Sequence, residues 1–549
     1  MLVTNFILAL LPILWLVVAL ALLKMPGYRA CMIALVIAAV EALFIWKLAR
    51  VSILKAAAVG GANAILPICL VILAALFVYQ LTLATGAMDT MKAMLSSVSK
   101  DRRVLFLLIG YGFGNFMEGM AGFGTAVAIP TGILVAMGFD PVRTIVALLV
   151  VNTMPTAFGS VGVPTRTLAA VTGITDITGL SVDIVTIELL LSVVSPFLMI
   201  AIADGSAKAL KGMIGIVAVS MVAFLVPAYY MAGQAGPELC DIVGSIFSMV
   251  GMIAFAMIKE KRVPVPAEYL VTGSAGGGTP KAESSGASED GRPVKAEGPG
   301  VSAKMAGADA SDTPRFDAKS GVIAWMPFIL IFLFLLLTNL VAPIKEPLSK
   351  IATTVAVYRS VVPGETVGTL TFTWINTPGI IILVAGIIGG LVQGASLSAI
   401  FGVLLKTVKS NVKTVLTIVS VLATAKIMSH SGMTDDIANF FVATTGGLFP
   451  LFAPLIGMLG GFITGSGTST CVLFGEMQTK TAAAIGASEP WLAAANVMGA
   501  GIGKMIAPQG IAIGTAAANL VGAENRILGK VLPYCLLYVA VGGLVCFFL

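Results

Sequence analysis

The 549-residue chain is 58% hydrophobic and only 11% charged, with a mean hydropathy of +1.01, against roughly a quarter charged in ordinary soluble domains. No soluble core could hide that much apolar surface, and the net charge of +6 comes from Lys/Arg clusters in short segments that read as cytoplasmic loops, not as a nucleic-acid footprint. Six scattered cysteines without CxxC or CxxH spacing, and a single histidine, leave no sequence signature of a redox pair, a multi-histidine metal centre or another cofactor.

Apolar runs follow one another along the chain at 7–23, 32–46, 65–83, 221–230, 249–258 and 325–341. Counting interrupted stretches as well, the pattern predicts an all-α polytopic protein of about 12 to 14 membrane segments, with the lipid bilayer as its first partner. The first run begins almost at Met1, without a basic lead or an obvious small-residue cleavage site, and reads as a spanning helix. Lys24–Arg29 and Lys47–Lys55 flank one short span and argue for opposite orientations, so the side of the N-terminus stays open.

Between 259 and 320 the composition turns to Gly, Ser, Ala, Pro and mixed charge, which reads as a disordered, cytoplasmic linker. It separates an N-terminal membrane half (1–258) from a C-terminal one (321–549). Each half carries a G-x-G-T element, Gly122–Thr125 and Gly465–Thr468, and about thirty residues later an Asn-containing segment broken by Gly and Pro. The two composite elements span about 116–165 and 461–516 and form a weak internal repeat.

Inside a bilayer an unpaired backbone amide costs several kcal/mol, so broken helices persist only where protein or a water-filled cavity satisfies them. Close helix packing is one use of the glycines. The hydroxyls and amides among them favour a binding site instead: Thr125, Asn152, Thr153, Ser466, Thr468, Ser469, Asn496 and Gln509, with the backbone at Gly122 and Gly124. A helix that starts in mid-membrane presents free N–H groups and a positive dipole end, which predicts a small anionic ligand between two facing re-entrant hairpins.

Ionisable residues inside such segments are functional candidates by default. Glu118 is the candidate proton carrier, or else a carboxyl held protonated by burial. Lys504 is the candidate partner of the anion, or else a lysine snorkelling from a helix end. Arg166 and His430 are weaker candidates; Glu476 and Lys480, four apart, read as a structural ion pair.

At these motifs the sequence resembles the L-lactate permease family of bacterial transporters. The matching text is EGMAGFGTAVAI (118–129), MGFDP (137–141), VNTMPTAFGSVGVP (151–164) and VTGI (171–174), then HSGMTDDIA (430–438), FITGSGTST (462–470), ANVMGAGIGKMIAPQGIAIGTA (495–516) and LVG (520–522). The resemblance implies uptake of lactate and glycolate by proton symport across the bacterial inner membrane. By analogy with a wider ion-transporter superfamily it also implies inverted repeats, paired re-entrant hairpins and a homodimer. Glu118, Gly122, Gly124, Asn152, Ser469, Asn496, Lys504, Pro508 and Gln509 stand at matching positions. Some relatives carry an acid at the place of Gly467, Asn at that of Cys471 and Ala-Pro at that of Thr125-Ala126, which bears on substrate range and coupling ion. The alternatives are a permease for another small carboxylate or sulfonate, sodium in place of the proton, and, from a different class, a passive anion channel. No nucleophile and base stand close in sequence to indicate an enzyme.

Overall fold

The computed structural model describes residues 2–19, 23, 25–122, 124–270, 318–358, 368–520 and 522–549. The chain is an all-α polytopic membrane protein. Nine described helices are long and apolar enough to cross a bilayer, or ten if Pro141–Val151 and Pro155–Thr172, bent by 65°, form one span. The shorter apolar helices Thr125–Ala136 and Pro378–Val392 fall below that length. Polarity is inverted relative to a soluble protein: Phe44, Leu54, Val226 and Phe548 are exposed, whereas Glu118, Glu188, Glu238 and Asp241 are buried.

Only the elements that build the centre are labelled. In the first half, α1 (Gly114–Met120) is followed by left-handed glycines at 122 and 124, and the chain returns as α2 (Thr125–Ala136). Gly114 faces the Ala126 carbonyl and Pro130, so the two limbs lie side by side as a hairpin. Next come α3 (Pro141–Val151), a 3₁₀ turn Pro155–Phe158, α4 (Gly159–Thr172) and the long α5 (Ile177–Asp204). Then α6 (Ile214–Ala235) and α7 (Pro237–Arg262) pack along each other. Helix α7 runs into the first residues of the predicted linker and α8 (Ala318–Leu340) begins within its last three; residues 271–317 of that linker lie outside the described residues.

A two-stranded antiparallel hairpin, β1 (Ala352–Tyr358) with β2 (Gly368–Thr373), is the only sheet among the described residues. The second half then repeats the order of the first. Helix α9 (Phe449–Thr464) reverses at Gly465 and Ser466 into α10 (Gly467–Ile485), followed by α11 (Glu489–Lys504), a break, α12 (Pro508–Ala517) and α13 (Glu524–Phe548). Gly460 lies against Thr470 and Phe474, so this element too is a hairpin.

Local sequence explains the matched boundaries. Gly138 (φ +87°) and Gly486 (φ +73°) take the left-handed conformation that ends the preceding helix. Asp140 then caps α3 through the Arg143 N–H at 2.8 Å, and Ser488 caps α11 through the Trp491 N–H at 3.3 Å, each with Pro in the first turn. The halves also interlock reciprocally: α2 packs on α12 and α10 on α4, while α3 packs on α13 and α5 on α11. Exchanging the halves maps each pairing onto its counterpart, the signature of a pseudo-two-fold repeat.

The glycines serve two purposes. Gly122 (φ +63°), Gly124 (φ +82°) and Gly465 (φ +63°) turn the hairpin tips. Gly457, Gly461, Gly499 and Gly503 instead let α9 and α11 meet backbone to backbone. There Gly503 abuts the Met458 carbonyl and the Phe462 amide, whereas Gly529 on α13 has no atom within 4 Å of an added Cβ. Gly503→Ala should therefore cost about 1–3 kcal/mol by overpacking and lower the melting temperature in detergent. Gly529→Ala, measured alongside, should leave it unchanged.

Candidate functional site

The two hairpin tips converge with the two helix breaks. At the first tip the Thr125 hydroxyl bonds the carbonyls of Met117 (2.9 Å) and Gly122 (2.8 Å), closing the reversal. The Ser160 hydroxyl ties that tip to the break in α4 by donating to the Ala121 carbonyl at 2.8 Å. Ser160, Val161 and Gly162 are all left-handed (φ 48°, 59° and 76°), so regular helix in α4 resumes only at Val163. A left-handed residue with a Cβ costs roughly 1–2 kcal/mol, and two in succession mark a conformation imposed by the surroundings.

At the second tip the Ser466 hydroxyl caps α10, accepting the Ser469 N–H at 3.2 Å, and the Thr464 hydroxyl accepts the Ser466 N–H at 3.1 Å. Gln509, the second residue of α12, lies against Gly465. Across the halves, Gly467 packs on Thr156 and Pro164, Gly124 on Ile513, and Gly501 on Thr153 and Thr156. An added Cβ at Gly467 would stand 3.0 Å from the Thr156 methyl. In this packing Thr156 fills the space that an acidic side chain at 467 would need.

The charged pair of the centre comes from opposite halves. Lys504, the last residue of α11, places Nζ 2.8 Å from Oε1 of Glu118 on α1. Glu118 is 2% exposed and its Oε2 has no hydrogen-bond partner, while the lysine side chain keeps 16% of its surface accessible. Gly159 makes room for the carboxylate, since a Cβ there would come within 3.2 Å of Oε1. The lysine is therefore an interior ion-pair partner and does not snorkel.

Other predicted residues divide. Asn152 and Asn496 are buried at matching places before the two breaks; Asn152 Oδ1 and both polar atoms of the Asn496 side chain lack protein partners. Such groups are costly to bury unmade and are the best-placed free amides for a ligand. The Thr153 hydroxyl is engaged with the Val150 carbonyl at 3.0 Å. Ser469 is buried, Thr468 partly exposed and Gln509 exposed. Arg166 is ion-paired with the buried Glu238 of α7.

His430 sits in the last turn of the helix Val412–Ser431 with Nδ1 2.9 Å from the Lys426 carbonyl oxygen. The expected pairing of Lys480 with Glu476 forms at 3.0 Å, and Asp435 joins it at 2.8 Å. Sequence reasoning missed Glu188, Glu238 and Asp241, buried acids within apolar helices, and Asn115, whose Nδ2 is buried without a partner. An acid inside an otherwise apolar run, as in IVTIELLL (184–191), was the available signal.

The sequence profile of the L-lactate permease family matches residues 5–549. The chain is 38% identical to an L-lactate permease of Streptococcus iniae, covering 89% of this chain and 93% of that one. It is 32% identical to the glycolate permease GlcA of Escherichia coli K12 (98% and 95% covered) and 31% identical to an L-lactate permease of Bacillus subtilis (94% and 91% covered).

Removing one member of a buried ion pair strands the other. Lys504→Met alone should destabilise the protein by about 3–5 kcal/mol, and adding Glu118→Gln should recover most of that loss. Detergent melting curves of the two single variants and the double variant measure the coupling.

Proposed function

The chain belongs to the L-lactate permease family, and on that premise we propose that it takes up lactate, glycolate and related small 2-hydroxymonocarboxylates by proton symport across the bacterial cytoplasmic membrane. It is a multi-pass permease and not an enzyme. The observation that carries the coupled reading is the ion pair between Lys504 and Glu118, 2.8 Å long and shared between the halves.

An entering carboxylate is drawn to the one ammonium at the convergence of the two breaks. That ammonium is already neutralised, so binding is an exchange of partners: the substrate carboxylate takes Lys504 and the displaced Glu118 carboxylate takes a proton. Leaving Glu118 ionised would bury an uncompensated charge, at a cost far above that of a protonated carboxyl. One proton thus accompanies one monocarboxylate, and the loaded and empty centres carry the same net charge.

Positive ends of α10 and α12 add to the lysine's field. The free amides of Asn152 and Asn496 supply donors and acceptors for a hydroxyl and a carboxylate oxygen. Accumulation follows if the loaded and empty forms, with balanced charge, change conformation more readily than a half-loaded one.

In proteoliposomes with an acid exterior, labelled L-lactate should accumulate above equilibrium, and unlabelled glycolate should compete. Uptake that follows a sodium gradient and ignores the pH gradient would overturn the proton assignment. Flux without accumulation would identify a channel. Lys504→Ala and Glu118→Gln should each reduce accumulation to the level of protein-free vesicles.

A further inference from the structure

The partner exchange needs a source for the proton that Glu118 receives, and the structure offers one that the ion pair does not use. Asp241 on α7 is 1% exposed; Oδ1 accepts from the Ser245 hydroxyl at 3.3 Å and Oδ2 has no hydrogen-bond partner. Its carboxyl lies against Gly119, the residue after Glu118: a Cβ on that glycine would stand 2.7 Å from Oδ2. Glycine here lets the two carboxyl-bearing segments approach.

The groups that face Asp241 electrostatically are Glu118 from α1, Glu188 from α5, the Tyr111 hydroxyl from the segment leading into α1, and its neighbour Cys240. Both Glu188 oxygens and the Tyr111 hydroxyl are buried without hydrogen-bond partners. Lys504 is committed to Glu118, and none of these four groups brings a cation to Asp241. An ionised carboxylate buried without a counter-ion is costly.

On the far side of Asp241 there is a route to water. One turn earlier on the same face of α7, Glu238 pairs with Arg166 at the wall of a cavity of about 210 Å³, which is also lined by Thr178, Asn339, Lys345 and Asn376. Three residues of helix separate Glu238 from Asp241 by about 4.5 Å along the axis. The cavity lies at the start of α7 and the end of α8.

We propose that Asp241 is the proton carrier between this cavity and Glu118. When substrate takes Lys504, the Asp241 carboxyl O–H bond breaks and its proton passes to the Glu118 carboxylate. Asp241 then regains a proton from cavity water, restoring both acids with one proton drawn from the cavity side. Glu238, paired with Arg166, marks the mouth and does not itself carry the proton. Tyr111 and Glu188 line the carrier's surroundings.

This inference rests on the proton-coupled reading, and the experiment separates the two. If wild-type protein shows no pH-driven accumulation, the coupled reading itself fails. Given a coupled wild type, Asp241→Asn should lower pH-driven accumulation by about a hundredfold, the low end of what a positioned proton-transfer group supplies, and flatten its dependence on external pH. Asp241→Glu should restore accumulation with a displaced pH profile. Wild-type accumulation in Asp241→Asn overturns the proposal. If the Asn variant does not fold, Asp241→Glu decides alone: a displaced profile supports the carrier role, and an unchanged one overturns it.

Discussion

A lysine and a glutamate buried against each other in an apolar bundle impose the strictest condition on this molecule. Neither charge is tolerable there alone, and the two come from halves separated by 386 residues of sequence. The hairpin that presents Glu118 and the broken helix that ends in Lys504 must therefore meet, and the surrounding glycines and hydroxyls serve that meeting. Gly159 leaves space for the carboxylate, Ser160 pins the first tip to the break beside it, and the left-handed run over 160–162 is held by contacts on every side.

The repeat supplies symmetry of backbone and not of chemistry. Asn152 matches Asn496, Pro164 matches Pro508, and Gly122 matches Gly465, yet Ser160 occupies the place corresponding to Lys504 and Gly461 that corresponding to Glu118. One half contributes the carboxylate and its flanking acids, the other the ammonium. Duplicated scaffolding with divided charges creates a single asymmetric centre on a pseudo-two-fold axis, where neither half alone would bury a neutral pair.

Much of this was legible in the sequence, because membrane physics makes certain residues conspicuous. Glycine beside threonine in an apolar run signals a broken helix, and a lone Lys or Glu there demands a reason, so Glu118 and Lys504 stood out individually. Their partnership did not, because nothing in spacing joins positions so far apart. The pairing of Arg166 with Glu238 was hidden for the same reason, its counter-ion lying far along the chain in α7. Single acids such as Glu188 and Asp241 vanish when hydropathy is averaged over a helix. Composition also cannot distinguish glycines that turn a chain, such as Gly465, from those that let helices touch, such as Gly499, since both uses require only the absence of a side chain.

The contact between α9 and α11 has a mechanical consequence. With Gly457 and Gly461 on one helix and Gly499 and Gly503 on the other, the two axes have no cushion of side chains to shear across, so the pair behaves as one stiff beam. Lys504 rides at one end of that beam and the second hairpin tip is fixed to it at Gly465. Glu118 stands on the opposite half. Any displacement of one half against the other would therefore leave the lysine's distance to its own tip constant and lengthen its distance to Glu118.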